Sequence, residues 1–261
     1  MIRGFYASAA GMLTQLNRND VLSSNLSNAE SVAFKEGHPV AESFPALLVR
    51  QVGGRGGPGR AGAGQAPLGL LSAGTWVGAV STDFSQGTVY RTGNPQHFAL
   101  RGDGFFAVED QSGQTVLTRR GDFHLGANGQ LLTSEGYGVM GYDGPVFFPG
   151  KTEGVDVQVG DLGEIFFDGQ RVGQLAIFGV EDPENLTRLD HGYFGQGTAS
   201  VTLEASEPVS VMRGFLEGSN VDLNRTVVST VEVLRAYEAN QHLAKAQDEI
   251  MGKAAQEIGR L

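Results

Sequence analysis

Both ends of this chain repeat an alternation of threes and fours, and no other feature limits the fold as strongly. Near the start, Ile2, Phe5, Ala9, Met12, Leu16, Asn19, Ser23 and Leu26 follow it; near the end, Leu223, Val227, Thr230, Leu234, Tyr237, Gln241, Ala244, Asp248 and Met251 do the same. A mean period of 3.5 keeps one stripe of a helix turned toward a partner helix along its length. Two such helices, one at each terminus, predict a coiled coil of the ends with the intervening chain displayed outside it. The first is expected over about residues 3–28 and the second over about 221–258, which contains no proline. Ser219-Asn220-Val221-Asp222 offers the second helix a Ser/Asn cap, with Asp222 in its first turn. Either helix alone is marginal in water and must draw its stability from packing.

Between them the period changes. Residues 53–64 read GGRGGPGRAGAG, the composition of a flexible linker. The two GxGxxG matches inside it lack both the strand that would deliver a pyrophosphate loop and the helix that would open on it. From Trp76 to about Met212, short apolar runs alternate with Gly, Asn and Asp. Phe98–Leu100, Phe105–Val108, Val116–Thr118, Gln130–Leu132, Val146–Phe148, Ile165–Phe167 and Leu175–Phe178 read as strands. Asn128-Gly129 and Asp168-Gly169 read as two-residue type I′ hairpin turns. The expected fold class is therefore α+β: N- and C-terminal helices paired as a coiled coil, with a central all-β domain of antiparallel hairpins. The expected divisions are a helix in 1–36, a Gly-rich connecting segment in 37–75, the β domain in 76–214 and a second helix in 215–261.

Charge and composition exclude several functions. With 19 basic and 29 acidic residues the formal charge is −10, the wrong sign for a chain that neutralises phosphates, so no nucleic-acid partner is expected. Absent cysteine removes disulfides, thiolate metal sites and cysteine nucleophiles together. No apolar run approaches membrane-span length. Ala7-Ser8-Ala9 looks like a signal-peptidase site but lacks a preceding apolar region, so export without a cleaved signal is expected. His38, His97, His124, His191 and His242 are scattered, and no HExxH or GxSxG motif occurs. No catalytic, cofactor-binding or metal-ligating residue is assigned, and an enzyme is not expected. Arg101-Gly102-Asp103 and Arg120-Gly121-Asp122 are RGD tripeptides and raise the alternative of an adhesin; both lie at expected turns, where Gly and Asp are ordinary.

Ser24-Asn25-Leu26-Ser27-Asn28 followed by Ala33-Phe34-Lys35 resembles the N-terminal signature of bacterial flagellar rod and hook proteins. Gly214-Phe215-Leu216-Glu217, Ser219-Asn220-Val221-Asp222-Leu223 and Arg235-Ala236-Tyr237-Glu238-Ala239-Asn240 are similar to that family's C-terminal signature. Thr92-Gly93-Asn94-Pro95, Gly102-Asp103-Gly104-Phe105-Phe106 and Thr118-Arg119-Arg120-Gly121-Asp122-Phe123 extend the likeness through the middle. Ser24 stands where the family usually has a second Asn, and Val32-Ala33 where it has Thr-Gly, placing a Cβ at an expected bend. The resemblance implies a structural subunit, secreted unfolded through the flagellar type III export apparatus and polymerising through its terminal helices into the axial drive shaft. Its length fits the distal rod subunit, with the proximal rod subunit as the alternative. The implied partners are further copies of itself, neighbouring rod and hook proteins, the export apparatus and, in a two-membrane cell, an outer ring bushing. The implied assembly interface comprises Ile2, Phe5, Ala9, Met12, Leu16, Asn25, Leu26, Asn28, Phe34 and Lys35, with Leu216, Ser219, Asn220, Val221, Asp222, Leu223, Val227, Leu234, Tyr237, Asn240 and Ala244.

Overall fold

The computed structural model describes residues 2–45, 47–50, 67–71, 74–148, 157–160, 163–167, 169–202 and 209–259. It is α+β, with a helix at each end and antiparallel strands between them. The glycine-rich run 53–64, with its two GxGxxG matches, lies outside the described residues. The chain divides into two compact units, Met1–Ser24 with Gly37–Ser81 and Asn224–Leu261, and Asn25–Glu36 with Thr82–Leu223.

The first unit holds most of both helices, α1 (Ile2–Ser27) and α2 (Leu223–Ile258). At 36 residues α2 is roughly 54 Å long. The helices approach each other at glycine. A Cβ on Gly4 would lie 2.7 Å from Gln247 Nε2, and one on Gly11 would lie 3.0 Å from the Asn240 amide. Seven residues forward on α1 thus correspond to seven back on α2, so the helices run antiparallel. The buried and half-buried positions of α1 include Gly4, Ser8, Gly11, Gln15, Arg18, Leu22 and Asn25; those of α2 include Thr226, Thr230, Val233, Tyr237, Asn240, Ala244, Gln247 and Met251. The alternation of threes and fours is present, but its phase differs from the one read in the sequence. On α1 the covered stripe lies one residue before the expected one, a rotation of about 100°. On α2 it shares Thr230, Tyr237, Ala244 and Met251 with the expected stripe and precedes it by one at the positions between. Sequence reading selects the largest apolar side chains, whereas close approach of two backbones selects Gly and Ser.

Two antiparallel ribbons complete this unit, Gly37–Ser43 with Thr75–Thr82 and Leu47–Arg50 with Pro67–Leu71. The Thr14 hydroxyl lies 2.8 Å from the Thr75 carbonyl oxygen, and a Cβ on Gly74 would lie 2.8 Å from Ala10 Cβ, so the first ribbon rests on α1.

In the second unit a mainly antiparallel sheet runs in the order Thr187–Arg188, Tyr193–Gly195, Thr115–Thr118, Phe105–Glu109, Gly138–Gly141, Leu131–Leu132, His124–Leu125. Phe106, Val108 and Val116 pack on one side with Phe98, Phe123, Leu131, Val139 and Ile165; Phe105, Leu117 and Phe194 pack on the other with Phe84 and Phe178. Burial on both faces explains why Phe105-Phe106-Ala107-Val108 is uniformly apolar rather than alternating.

Two local expectations need correction. At Asn128-Gly129 the hairpin exists, with Leu131 opposite Leu125, but only Gly129 has positive φ. The Gly129 N–H donates to Gly126 O at 2.9 Å and the Asn128 carboxamide oxygen accepts from Gln130 N–H. This is a type I turn followed by a left-handed glycine, not a type I′ turn. The second turn closes between Phe167 and Gln170 with Gly169 at φ 76°, while Asp168 lies outside the described residues. At the C-terminal helix, Asp222 precedes the first helical residue instead of lying in the first turn, and Asn220 is used elsewhere.

Candidate assembly surface

The two helices leave a large apolar surface uncovered. Of the residues expected at an interface, Phe5, Leu16 and Leu26 on α1 and Leu223, Val227 and Leu234 on α2 are exposed. So are Tyr6, Leu13, Val228, Val231, Leu243 and Ile250, which the sequence reading missed; Leu13 is 62% and Ile250 55% exposed. Their signal was present in Tyr6–Leu13 and Leu243–Ile250, each seven apart, and in Val227–Val231–Leu234. A helix with an apolar stripe beyond the one already packed is built to be covered on more than one side. Ala9 and Met12 are half-buried, as are Tyr237, Asn240 and Ala244 on the covered stripe, and the side chain of Ile2 lies outside the described set.

The remaining expected residues serve a junction inside the second unit. Phe34, Lys35 and Leu216 are buried. Lys35 donates to Glu217 Oε1 at 2.6 Å and to Ser85 O at 2.7 Å, while Gly87 N–H donates to the same carboxylate oxygen at 3.1 Å. Arg119 lies 3.6 Å from the other carboxylate oxygen and stacks over Phe105 at 5.2 Å. Burial pulls Lys35 below its ordinary pKa more strongly than Glu217 holds it up, and burial lowers Arg119 in the same way against Glu217 and Asp103. Two cations thus share one fully buried carboxylate, and removing it would leave both uncompensated, a loss on the order of 3–5 kcal/mol.

Asn220 adds a polar clasp. Its side-chain oxygen accepts from Glu36 N–H at 2.7 Å, its amide donates to Asp83 O at 2.9 Å, and its own N–H donates to Phe34 O. Ser219 Oγ accepts from Val221 N–H. Asn25 is buried, Asn28 and Val221 are half-buried, and Asp222 is exposed. Arg188 covers the Phe34 ring, with its guanidinium carbon 4.6 Å from the centroid.

A second charged network occupies one RGD. Arg120 donates to Asp122 at 2.7 Å and to Glu135 at 2.6 Å, Ser134 donates to Asp122, and the Tyr193 hydroxyl donates to Glu135. Gly121 is required by contact, since a Cβ there would lie 1.6 Å from Phe98 O. Arg120 and Asp122 are therefore committed to each other. In Arg101-Gly102-Asp103 both charged residues are exposed.

The family description "Flagellar hook protein FlgE/F/G D1 domain" matches residues 99–167, and "Flagellar basal body rod FlgEFG protein C-terminal" matches residues 212–257. The chain is 28% identical to the flagellar basal-body rod protein FlgG of Agrobacterium fabrum, over 95% of this chain and 97% of that protein. It is 28% identical to FlgG of Buchnera aphidicola subsp. Schizaphis graminum, over 98% and 100%. It is 26% identical to the flagellar hook-basal body complex protein FlhO of Bacillus subtilis, over 100% of both. Over nearly its whole length the chain is similar to proteins of the flagellar rod and hook-basal body. It is a structural subunit of the flagellar rod. The first family match lies on the strands of the second unit, and the other spans the Met212–Glu217 stretch that supplies Glu217 together with α2. Two groups of side chains stand out in this chain, those that lock the second unit together and those left exposed on the two helices.

Proposed function

We propose that this rod subunit is of the distal type and polymerises through α1 and α2, which supercoil with those of further copies into the inner tube of a drive shaft that transmits torque to the hook. The observation that carries this reading is the bare apolar surface of both helices, from Phe5 to Leu26 and from Leu223 to Ile250. Each such side chain contributes roughly 1.5–3 kcal/mol when a neighbour buries it. Identical contacts that do not close into a ring propagate as a helical filament. Within this reading the chain passes through the flagellar type III export apparatus without a cleaved signal and meets neighbouring rod and hook proteins at its ends. In a two-membrane cell the outer ring bushing surrounds it. The role is architectural and not catalytic.

Leu16→Asp and Leu234→Asp test it. Both leucines are exposed in the subunit, so a carboxylate there is harmless to the lone chain, whereas in a desolvated helix contact it has no partner. Each variant is expected to keep the circular dichroism of the wild type and to fail to enter basal bodies. Normal rods from both variants would sink the helix-surface assignment.

A further inference from the structure

Arg188 stands apart from the other cations of its unit. Lys35, Arg119, Arg120 and Arg213 are each at least half-buried and each has a carboxylate or carbonyl partner. Arg91, Arg101 and Arg171 are exposed to water. Arg188 is half-buried over Phe34, yet among the described residues its guanidinium has neither a hydrogen bond nor an ion pair. Burial lowers its pKa, and no nearby charge offsets that. It lies on Thr187–Arg188, the terminal strand of the main sheet, which among the described residues pairs on one side only, with Tyr193–Gly195. Leu189, next along the chain, is an exposed apolar residue. A sheet edge with an unpaired, partly desolvated cation and a bare leucine beside it is a surface prepared for a partner.

We propose that this edge, residues 187–190, receives a carboxylate from a second copy of the chain in the assembled rod. The inference rests on the polymer reading above. A second copy of the chain, with 29 acidic against 19 basic residues, offers an excess of carboxylates to such a cation. Each copy carries −10, so identical copies repel unless cations on one meet carboxylates on the next. An anion placed on Arg188 restores the solvation that burial removed, and the planar guanidinium matches a carboxylate in a two-point contact while its face stays on Phe34. A simpler role is that Arg188 merely roofs Phe34, as long cationic side chains do.

Three variants separate these roles. R188M keeps a long apolar cover on Phe34 and removes the charge; R188K keeps a charge; L234D reports on the helix contacts alone. Rods are counted in basal bodies isolated from cells carrying each variant, and their survival in rising salt is scored. R188M is expected to fold with unchanged circular dichroism yet yield about tenfold fewer rods, as loss of one desolvated charge pair implies, with R188K intermediate. In basal bodies carrying R188K, zero-length carbodiimide coupling is expected to join position 188 to an Asp or Glu of another copy, a product absent from the monomeric variant. That arm stands even if R188M misfolds. R188M rods at wild-type number and salt tolerance, or coupling that is absent, confined within one chain, or directed to a different protein, would overturn the proposal. If L234D assembled normally as well, the polymer reading would fall with it; L234D failing while R188M succeeds would remove this inference alone.

Discussion

Ala33 is one of two non-glycine residues with a left-handed φ among the described residues. It is 1% exposed, its φ is +53°, and its N–H donates to Glu217 O at 2.8 Å. The bend expected where Ala replaces the family's usual Gly is therefore present, with the Cβ tolerated. A left-handed alanine costs about 1–2 kcal/mol. Ala33→Gly removes that strain but gives up a buried methyl, about 0.8 kcal/mol, and loosens the unfolded chain by about 0.4–1 kcal/mol. Urea unfolding should therefore find A33G within about 1 kcal/mol of wild type. A33V adds a branched side chain at positive φ in a filled site and should lose at least about 2 kcal/mol; a neutral A33V would contradict the left-handed assignment. Asp122 and Glu135 set the acid limit. Burial raises both pKa values, but the Arg120 guanidinium with Ser134 for Asp122, and Tyr193 with Arg120 for Glu135, outweigh it and hold both below the ordinary range. Their contribution to stability is complete above the unfolded values near about 4 and is lost as pH falls through the lower folded values. Thermal melts across that window should show wild type losing stability with acid and D122N losing less. Parallel curves would show that the Arg120–Asp122 pair contributes nothing.

At the scale of elements, the sequence carried the period of both helices but not their phase. Stripes one residue apart differ by about 100°, and both are populated here: Phe5, Leu16 and Leu26 on one, Gly4, Ser8 and Gly11 on the other. Small residues register weakly in any search for apolar periodicity, although they let backbones meet. Gly11→Leu would drive a branched side chain into the Asn240 amide, 3.0 Å from the glycine's Cβ position. Hydrogen exchange at amides around Asn240 should then quicken. Gly252→Ala is the control, because nothing lies within 4 Å of its Cβ position, and it should stabilise α2 by up to about 1 kcal/mol. Equal protection in G11L and wild type would refute the antiparallel contact. The strands were legible because Phe105–Glu109 and Thr115–Thr118 are buried on both faces and leave unbroken apolar runs. The Asn128 turn was legible as a turn only, since a left-handed glycine after a type I turn has the same two-letter signature as type I′. Lys35, Glu217 and Asn220 carried no signal for their partners; contacts between residues over 180 apart in sequence depend on tertiary folding.

For the whole molecule, stability is distributed unevenly, and that unevenness suits the proposed polymer, in which neighbours complete the subunit. The second unit has apolar clusters on both sides of its main sheet and a carboxylate holding two cations at its centre. The helical unit is different. Its covered stripe is built largely of small and polar residues such as Gly4, Ser8, Gly11 and Gln15, and neither buried apolar cluster includes a residue of either helix. Its outer surface is apolar and bare. Helices held this way open locally at low free-energy cost, whereas the sheet opens only near the global unfolding limit. In the free subunit, amides of α1 and α2 are expected to exchange at least about tenfold faster than those of Phe105–Glu109 and Thr115–Thr118. In isolated basal bodies the helices should become as slow as the sheet, because neighbours then bury Leu13, Leu234, Leu243 and Ile250. Hydrogen exchange followed by mass spectrometry on both preparations decides it. Helices already as protected as the sheet in the free chain would mean that the uncovered apolar surface needs no neighbour, and the account of assembly as the step that stabilises them would be wrong.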